Sequence, residues 1–148
     1  MRIEHSLVLG LALVVSCAGQ QHAELTPDRG ALLAVHRIYL GTFGNIESSD
    51  LVKEKVRIRL INSGRFEVAE DSARADAILT GSAGIDRSTD RGTTDYRGIG
   101  LLRLVLVQSQ RTIWAHEYKR GRCFGCSVST RVADQMVDQL LTDAQTGP

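Results

Sequence analysis

The chain has 148 residues and a net charge of +1, with hydrophobic and charged fractions of 43% and 24% that match an ordinary globular domain. The near-neutral balance argues against a nucleic-acid-binding surface, which needs a marked basic excess. The apolar content excludes disorder as the general state of the chain and suffices for one core of normal size.

The first element is the apolar run Leu7 to Val15. Crossing a membrane takes about 20 apolar residues, so this run is too short to span. Its place near the N-terminus and its small-residue end give it the layout of a secretory signal. The n-region "MRIEHS" is weakly basic, because Glu4 offsets Arg2. The run ends in "VVSC", Val14 to Cys17, which resembles the lipobox of bacterial lipoproteins. The other reading is an ordinary signal peptide in which the cysteine merely happens to fall there. The resemblance implies cleavage after Ser16 and acylation of Cys17, with palmitate among several chains. One chain holds a protein to a bilayer only marginally, whereas several make the anchor lasting. Ala18 follows the cysteine, where the enteric pattern for inner-membrane retention has Asp, so the resemblance implies the outer membrane and a periplasm-facing domain. The expected organisation is a signal peptide over 1–16, a lipidated N-terminus and polar tether over 17–34, and a single domain over 35–148. "AGQQHAELTPDRG" (18–30), polar and broken by Pro27 and Gly30, carries the tether reading.

The domain reads as alternating elements. "HRIYLGTFG" (36–44) alternates and stops at glycine, predicting a strand. "SSDLVKEKVRIRLINSG" predicts a helix with cap candidates Ser48 and Ser49 and a stop at Gly64. Val52, Val56 and Leu60 form its inward stripe, and Asp50–Lys53 and Glu54–Arg57 are outward i,i+3 partners. Leu51 and Ile58 fall off that stripe. Either they touch a second helix or they form a surface for a partner. "RFEVAED" (65–71) and "ADAILTGSAGI" (75–85) predict two adjoining strands joined by "SAR". "DRSTDRGTTDYRG" (86–98) predicts a long polar connection ending a hairpin. "IGLLRLVLV" (99–107) is apolar on both faces apart from Arg103, which predicts a strand covered on both sides. After "QSQR", "TIWAHEYK" (112–119) alternates again. "STRVADQMVDQLLTDA" (129–144) gathers Val132, Ala133, Met136, Val137, Leu140 and Leu141 on one half of a helix. The order β-α-β-β-β-β-α predicts an α+β two-layer sandwich: a mixed sheet of about five strands with two helices on one face. Its first β-α-β step should be a right-handed crossover between parallel strands.

"RLINSGRFEVAEDSARADAILTGS" (59–82) and "LVLVQSQRTIWAHEY" (104–118) resemble segments of the TolB amino-terminal domain and of CsgG-type small envelope lipoproteins. The likeness runs over roughly residues 35–144. It implies core roles for Leu60, Phe66 and Trp114, a helix stop at Gly64 and a strand start at Asp76. It names no catalytic residue, and the chain is too short for the long membrane-inserting hairpins of a CsgG pore.

Chemistry is offered chiefly by "RCFGCSVST" (122–130). Cys123 and Cys126 stand just before a predicted helix, where backbone N–H groups and the helix dipole lower a thiol pKa. With Cys17 acylated they form an even pair, and an oxidising compartment favours a disulfide between them. The alternatives are a redox-active pair, free thiols, or a metal site that only His116 and His36 could help complete. His116 shares a face with Trp114 and Tyr118 and reads as a packing residue. Asp86, Asp90 and Asp95 lack the spacing of a calcium loop, and "YKRGR" (118–122) reads as a solvated basic strand end. "GTFGN" and "GIG" lack phosphate-loop spacing. No cofactor and no metal is expected. The expectation is a non-enzymatic, lipid-anchored accessory or scaffold protein of an envelope assembly or transport system, working through the bilayer and a protein partner. The rivals are a thiol–disulfide protein using Cys123 and Cys126, and a glycan- or lipid-binding module.

Overall fold

A computed structural model describes residues 26–119 and 127–145. In chain order the elements are α1 (Arg29–Ala34), β1 (Arg37–Leu40), α2 (Ser49–Ser63), β2 (Glu67–Ala69), a 3₁₀ turn (Ser72–Arg74), β3 (Ala77–Asp90), β4 (Thr93–Leu106), β5 (Thr112–Lys119) and α3 (Val128–Gln145). The five strands form one mixed sheet in the order β2-β1-β3-β4-β5. Both long helices pack on this sheet and on each other. The expected α+β sandwich is therefore present, with a short third helix added.

Helix α2 buries Val52, Val56 and Leu60 as its spacing requires, and ends at Gly64, whose φ of 64° sets the left-handed stop. Its start differs from expectation. Ser48 is itself left-handed and makes no side-chain cap bond, while the Ser49 hydroxyl donates backward to the Ile46 carbonyl. Of the two outward pairs, Glu54–Arg57 forms a two-pronged contact at 2.9 and 2.7 Å. Helix α3 buries Val132, Ala133, Met136, Val137 and Leu140.

Residues 29–34, expected to belong to the tether, are helical. Asp28 accepts from the Ala31 N–H at the helix start, and Leu32 is fully buried. Leu32 and Val35 of "ALLAV" thus join the core, while Leu33 and Ala34 between them are exposed.

Strands β2 and β3 do not adjoin, contrary to the sequence reading. Each pairs in parallel with β1, which lies between them. Asp76 ties β1 to one of these neighbours, β3. Its Oδ2 accepts from the backbone N–H groups of both His36 (2.9 Å) and Arg37 (2.8 Å), fastening the start of β1 to the start of β3. The Arg37 N–H bond above all, with lesser help from the His36 N–H bond and the nearby Arg37 guanidinium, holds the Asp76 carboxyl below its ordinary value of 3.8 against the opposing effect of burial. A depressed folded-state pKa contributes stability that is present above the unfolded value and is lost as pH falls through the folded value. Asp76→Asn is expected to cost about 1 kcal/mol at neutral pH, discounted for the partial exposure of the site. Urea titrations of both proteins should show that gap narrowing below about pH 4 and vanishing in stronger acid. A gap that stays constant with pH would rule out this role for the charge.

The polar stretch 86–98 is strand up to a two-residue turn. Its register runs from Asp86↔Arg97 to Asp90↔Thr93, and the turn residues Arg91 and Gly92 both have positive φ, as a tight hairpin turn of matching twist needs. Thr89 meets Thr94 across the ribbon at 3.3 Å, and the Arg87 guanidinium lies over the Tyr96 ring. Among the described residues the last β4–β5 pair is Ile99↔Lys119, while the β3–β4 pairing runs on to Asp90↔Thr93.

Glycines set how closely β3 and β4, and β4 and α3, approach each other. Gly81 has φ of 153°, and a Cβ there would run into the Leu101 carbonyl of β4. A Cβ on Gly98 or Gly100 would strike Val132 or Met136 of α3. "GIG" is thus the seat of a helix, a use its lack of phosphate-loop spacing leaves open.

Candidate interaction surfaces and the anchoring pole

The chain enters the domain at one end of the sheet. The Asp28 N–H donates to the Ile113 carbonyl at 2.9 Å, and Arg111 Nη1 donates to Asp28 Oδ2 at 2.6 Å. The Ala31 N–H and then Arg111 hold the Asp28 carboxyl below its ordinary value. This end also carries the β4–β5 turn and the starts of β1 and β3. The hairpin tip at Arg91 and Gly92 lies at the other end of β3 and β4, because β3 runs the full way from Ala77 to Asp90. Entry point and ribbon thus occupy opposite poles.

Leu51 and Ile58 are about half exposed, at 50% and 46%, and Ile61 beside them is similar. They do not supply the contact between the long helices. Arg59 helps to do that, with Nη2 2.8 Å from Asp138 Oδ1 and Nε 3.2 Å from Asp134 Oδ1. Helix α2 is therefore apolar on two sides, one buried and one facing solvent. Beside it a groove of about 590 Å³ runs along the ends of β1 and β2, lined by Tyr39, Asp50, Lys53, Arg57, Ile61 and Glu70. Its rim mixes both charges and suits no single ionic ligand.

The opposite face of the sheet carries a feature that sequence reasoning missed. Strand β4, expected to be covered on both faces, seats Leu102 and Leu104 under the helices but leaves Leu101 54% exposed on the other side. The register places Ser82 and Glu117 beside Leu101, and Thr80 and Ala115 beside Arg103. Ile99 and Val105 extend the same face, half-buried. The doubly apolar composition of β4 was the available signal for this surface.

His116 stacks on Trp114 with ring centroids 6.0 Å apart, in keeping with a packing role. Trp114 is fully buried, and its Nε1 donates to Asp143 Oδ2 of α3 at 2.8 Å. His36 contributes its backbone N–H to Asp76. Asp86 and Asp90 are exposed along the ribbon and Asp95 is half-buried there. Among the described residues no group of three potential metal ligands converges. Among them, too, no helix is long and apolar enough to cross a membrane. Cys17, the signal segment, Cys123 and Cys126 lie outside the described residues, as does most of the 118–122 cluster.

No family model and no curated protein matches the sequence. Solved structures do share the fold. The PelC dodecamer from Paraburkholderia phytofirmans is 16% identical, with 74% of this chain and 89% of that one covered and a TM-score of 0.57. Protein XCC0632 from Xanthomonas campestris, of family DUF330, is 14% identical, with coverages of 75% and 86% and a TM-score of 0.52. Lipoprotein GNA1162 from Neisseria meningitidis is 10% identical, with coverages of 72% and 99% and a TM-score of 0.50. At these identities the likeness is one of fold.

Proposed function

We propose that the chain is a non-enzymatic lipoprotein, held by acylated Cys17 on the outer membrane and facing the periplasm, where it serves as an accessory or scaffold in an envelope assembly or transport system. The observation that carries this is the division of the domain into two poles. Asp28 is clamped by Arg111 and Ile113 at the pole where the chain arrives from Cys17. The stretch from Cys17 to Asp28 can reach at most ~40 Å, so an acylated Cys17 keeps that pole near the bilayer. The β3–β4 ribbon lies at the far pole of the domain. The fold shared with a Neisseria lipoprotein supports an envelope setting. Kinship with the TolB amino-terminal and CsgG-type proteins belongs to the same proposal and rests on the motifs at 59–82 and 104–118. Sorting to the outer membrane rests on Ala18.

The test is Cys17→Ser with membrane fractionation. The wild-type chain should pellet with membranes and resist salt washes, because several acyl chains anchor far more firmly than peripheral contacts. The variant should move almost wholly to the soluble periplasmic fraction. A variant that still pellets, or a wild-type chain with an unmodified thiol by intact mass, overturns the proposal.

A further inference from the structure

We infer that the exposed stripe of α2 docks on the open sheet face of a second copy of this chain, joining copies head to tail. The inference deepens the scaffold reading and rests on it only in treating the protein as one that works by contact. Among the described residues, apolar patches are left exposed on both elements: Leu51, Ile58 and Ile61 on α2, and Leu101 flanked by half-buried Ile99 and Val105 on β4. A helix stripe and a sheet face are the two halves of the commonest packing solution in mixed folds. One molecule cannot join them, because its own sheet and buried helix faces lie between. Two molecules can.

Charge points to the same pairing. Arg103 stands two residues from Leu101 on the open face, exposed and without an ion pair among the described residues. Asp50 stands beside Leu51 in the first turn of α2, likewise exposed and unpaired, whereas Glu54 is already engaged by Arg57. A helix laid across the face can bring Asp50 of one copy to Arg103 of the next while Leu51 and Ile58 cover Leu101. The composition of β4 fits as well: a strand apolar on both faces normally has both faces covered. Because the two surfaces differ, the contact is heterologous, and repetition yields a ring where the rotation closes and a filament where it does not.

Sedimentation velocity on the full chain in detergent tests this. The wild-type chain should sediment well above monomer mass. Leu101→Glu and Ile58→Glu should each weaken association by roughly tenfold or more, as truncating a central interface residue does. An equimolar mixture of the two variants should give one-to-one dimers, since each retains the half that the other lacks. Arg103→Asp and Asp50→Arg should each weaken assembly, and the double variant should regain it. This charge exchange decides the matter if either glutamate variant loses its fold by circular dichroism. A monomeric wild-type chain, an assembly indifferent to Ile58→Glu, or a double variant no better than the singles overturns the inference. These readouts are separate from the fractionation of Cys17→Ser, so loss of anchoring and loss of self-association are told apart.

Discussion

Trp114→Ala is expected to lower stability by about 3–5 kcal/mol, in the range for deleting a fully buried indole. For a domain of this size that is a fall in Tm of roughly 15 °C. The indole is the largest fully buried side chain among the described residues, and it joins the two layers of the fold. Its ring stacks on His116 within β5, while its Nε1 donates to Asp143 on α3. Gln139 steadies that carboxylate by donating to the other oxygen at 3.0 Å. The loss therefore has two separable parts, a cavity and a cross-layer hydrogen bond. Asp143→Ala removes only the second and leaves the indole N–H without a partner, at a cost of about 1–3 kcal/mol. Thermal melts of both variants check the division. An Asp143→Ala protein as stable as wild type would show that the bond carries no weight and that packing alone fixes the tryptophan.

Gly81→Ala is the second large effect, and its cause is backbone rather than core. The residue sits mid-strand with φ of 153°, a conformation that costs an L side chain about 1–3 kcal/mol. The added Cβ would also meet the Leu101 carbonyl, and backbone cannot swing aside as a side chain can. To admit it, β3 and β4 must part locally and give up ladder hydrogen bonds at the centre of the sheet. The total expected is about 3–4 kcal/mol, read as a drop in the urea midpoint. Gly92→Ala is the control. It too has positive φ, but its Cβ would meet nothing within 4 Å, so only the strain remains. Equal losses at the two positions would show that conformation alone matters and that the contact with Leu101 does not.

Interface contributions differ in kind from these. Leu101 and Ile58 are exposed within one molecule, so changing them should leave the melting of an isolated domain nearly unaltered while abolishing association. That separation of stability from assembly distinguishes a docking surface from a flaw in the core.

The inward faces of this protein were written locally in its residues. Val52, Val56 and Leu60 repeat at helical spacing, the apolar half of α3 repeats likewise, and Gly64 marks a stop. Each follows from a period of a few residues, and each is where the fold has it. The candidate contact residues Leu51 and Ile58 were legible in the same way, because they fall off the helix stripe. Which surface would cover them was not, since a period tells which side of an element is apolar and not what lies against it.

The arrangement between elements belonged to the tertiary structure. Placing β1 between β2 and β3 rests on parallel pairings between distant segments, and on Asp76 reaching backbone groups 39 and 40 residues away to join β1 to β3. Burying Leu32 of α1 goes with contacts distant in sequence, among them Asp28 meeting Arg111 across 83 residues. Leaving one face of β4 open depends on both long helices lying on the other. Sequence period records the free energy of burying a side. Strand order, register and an uncovered face reflect competition among distant pairings, and that competition is settled only when the whole chain packs at once.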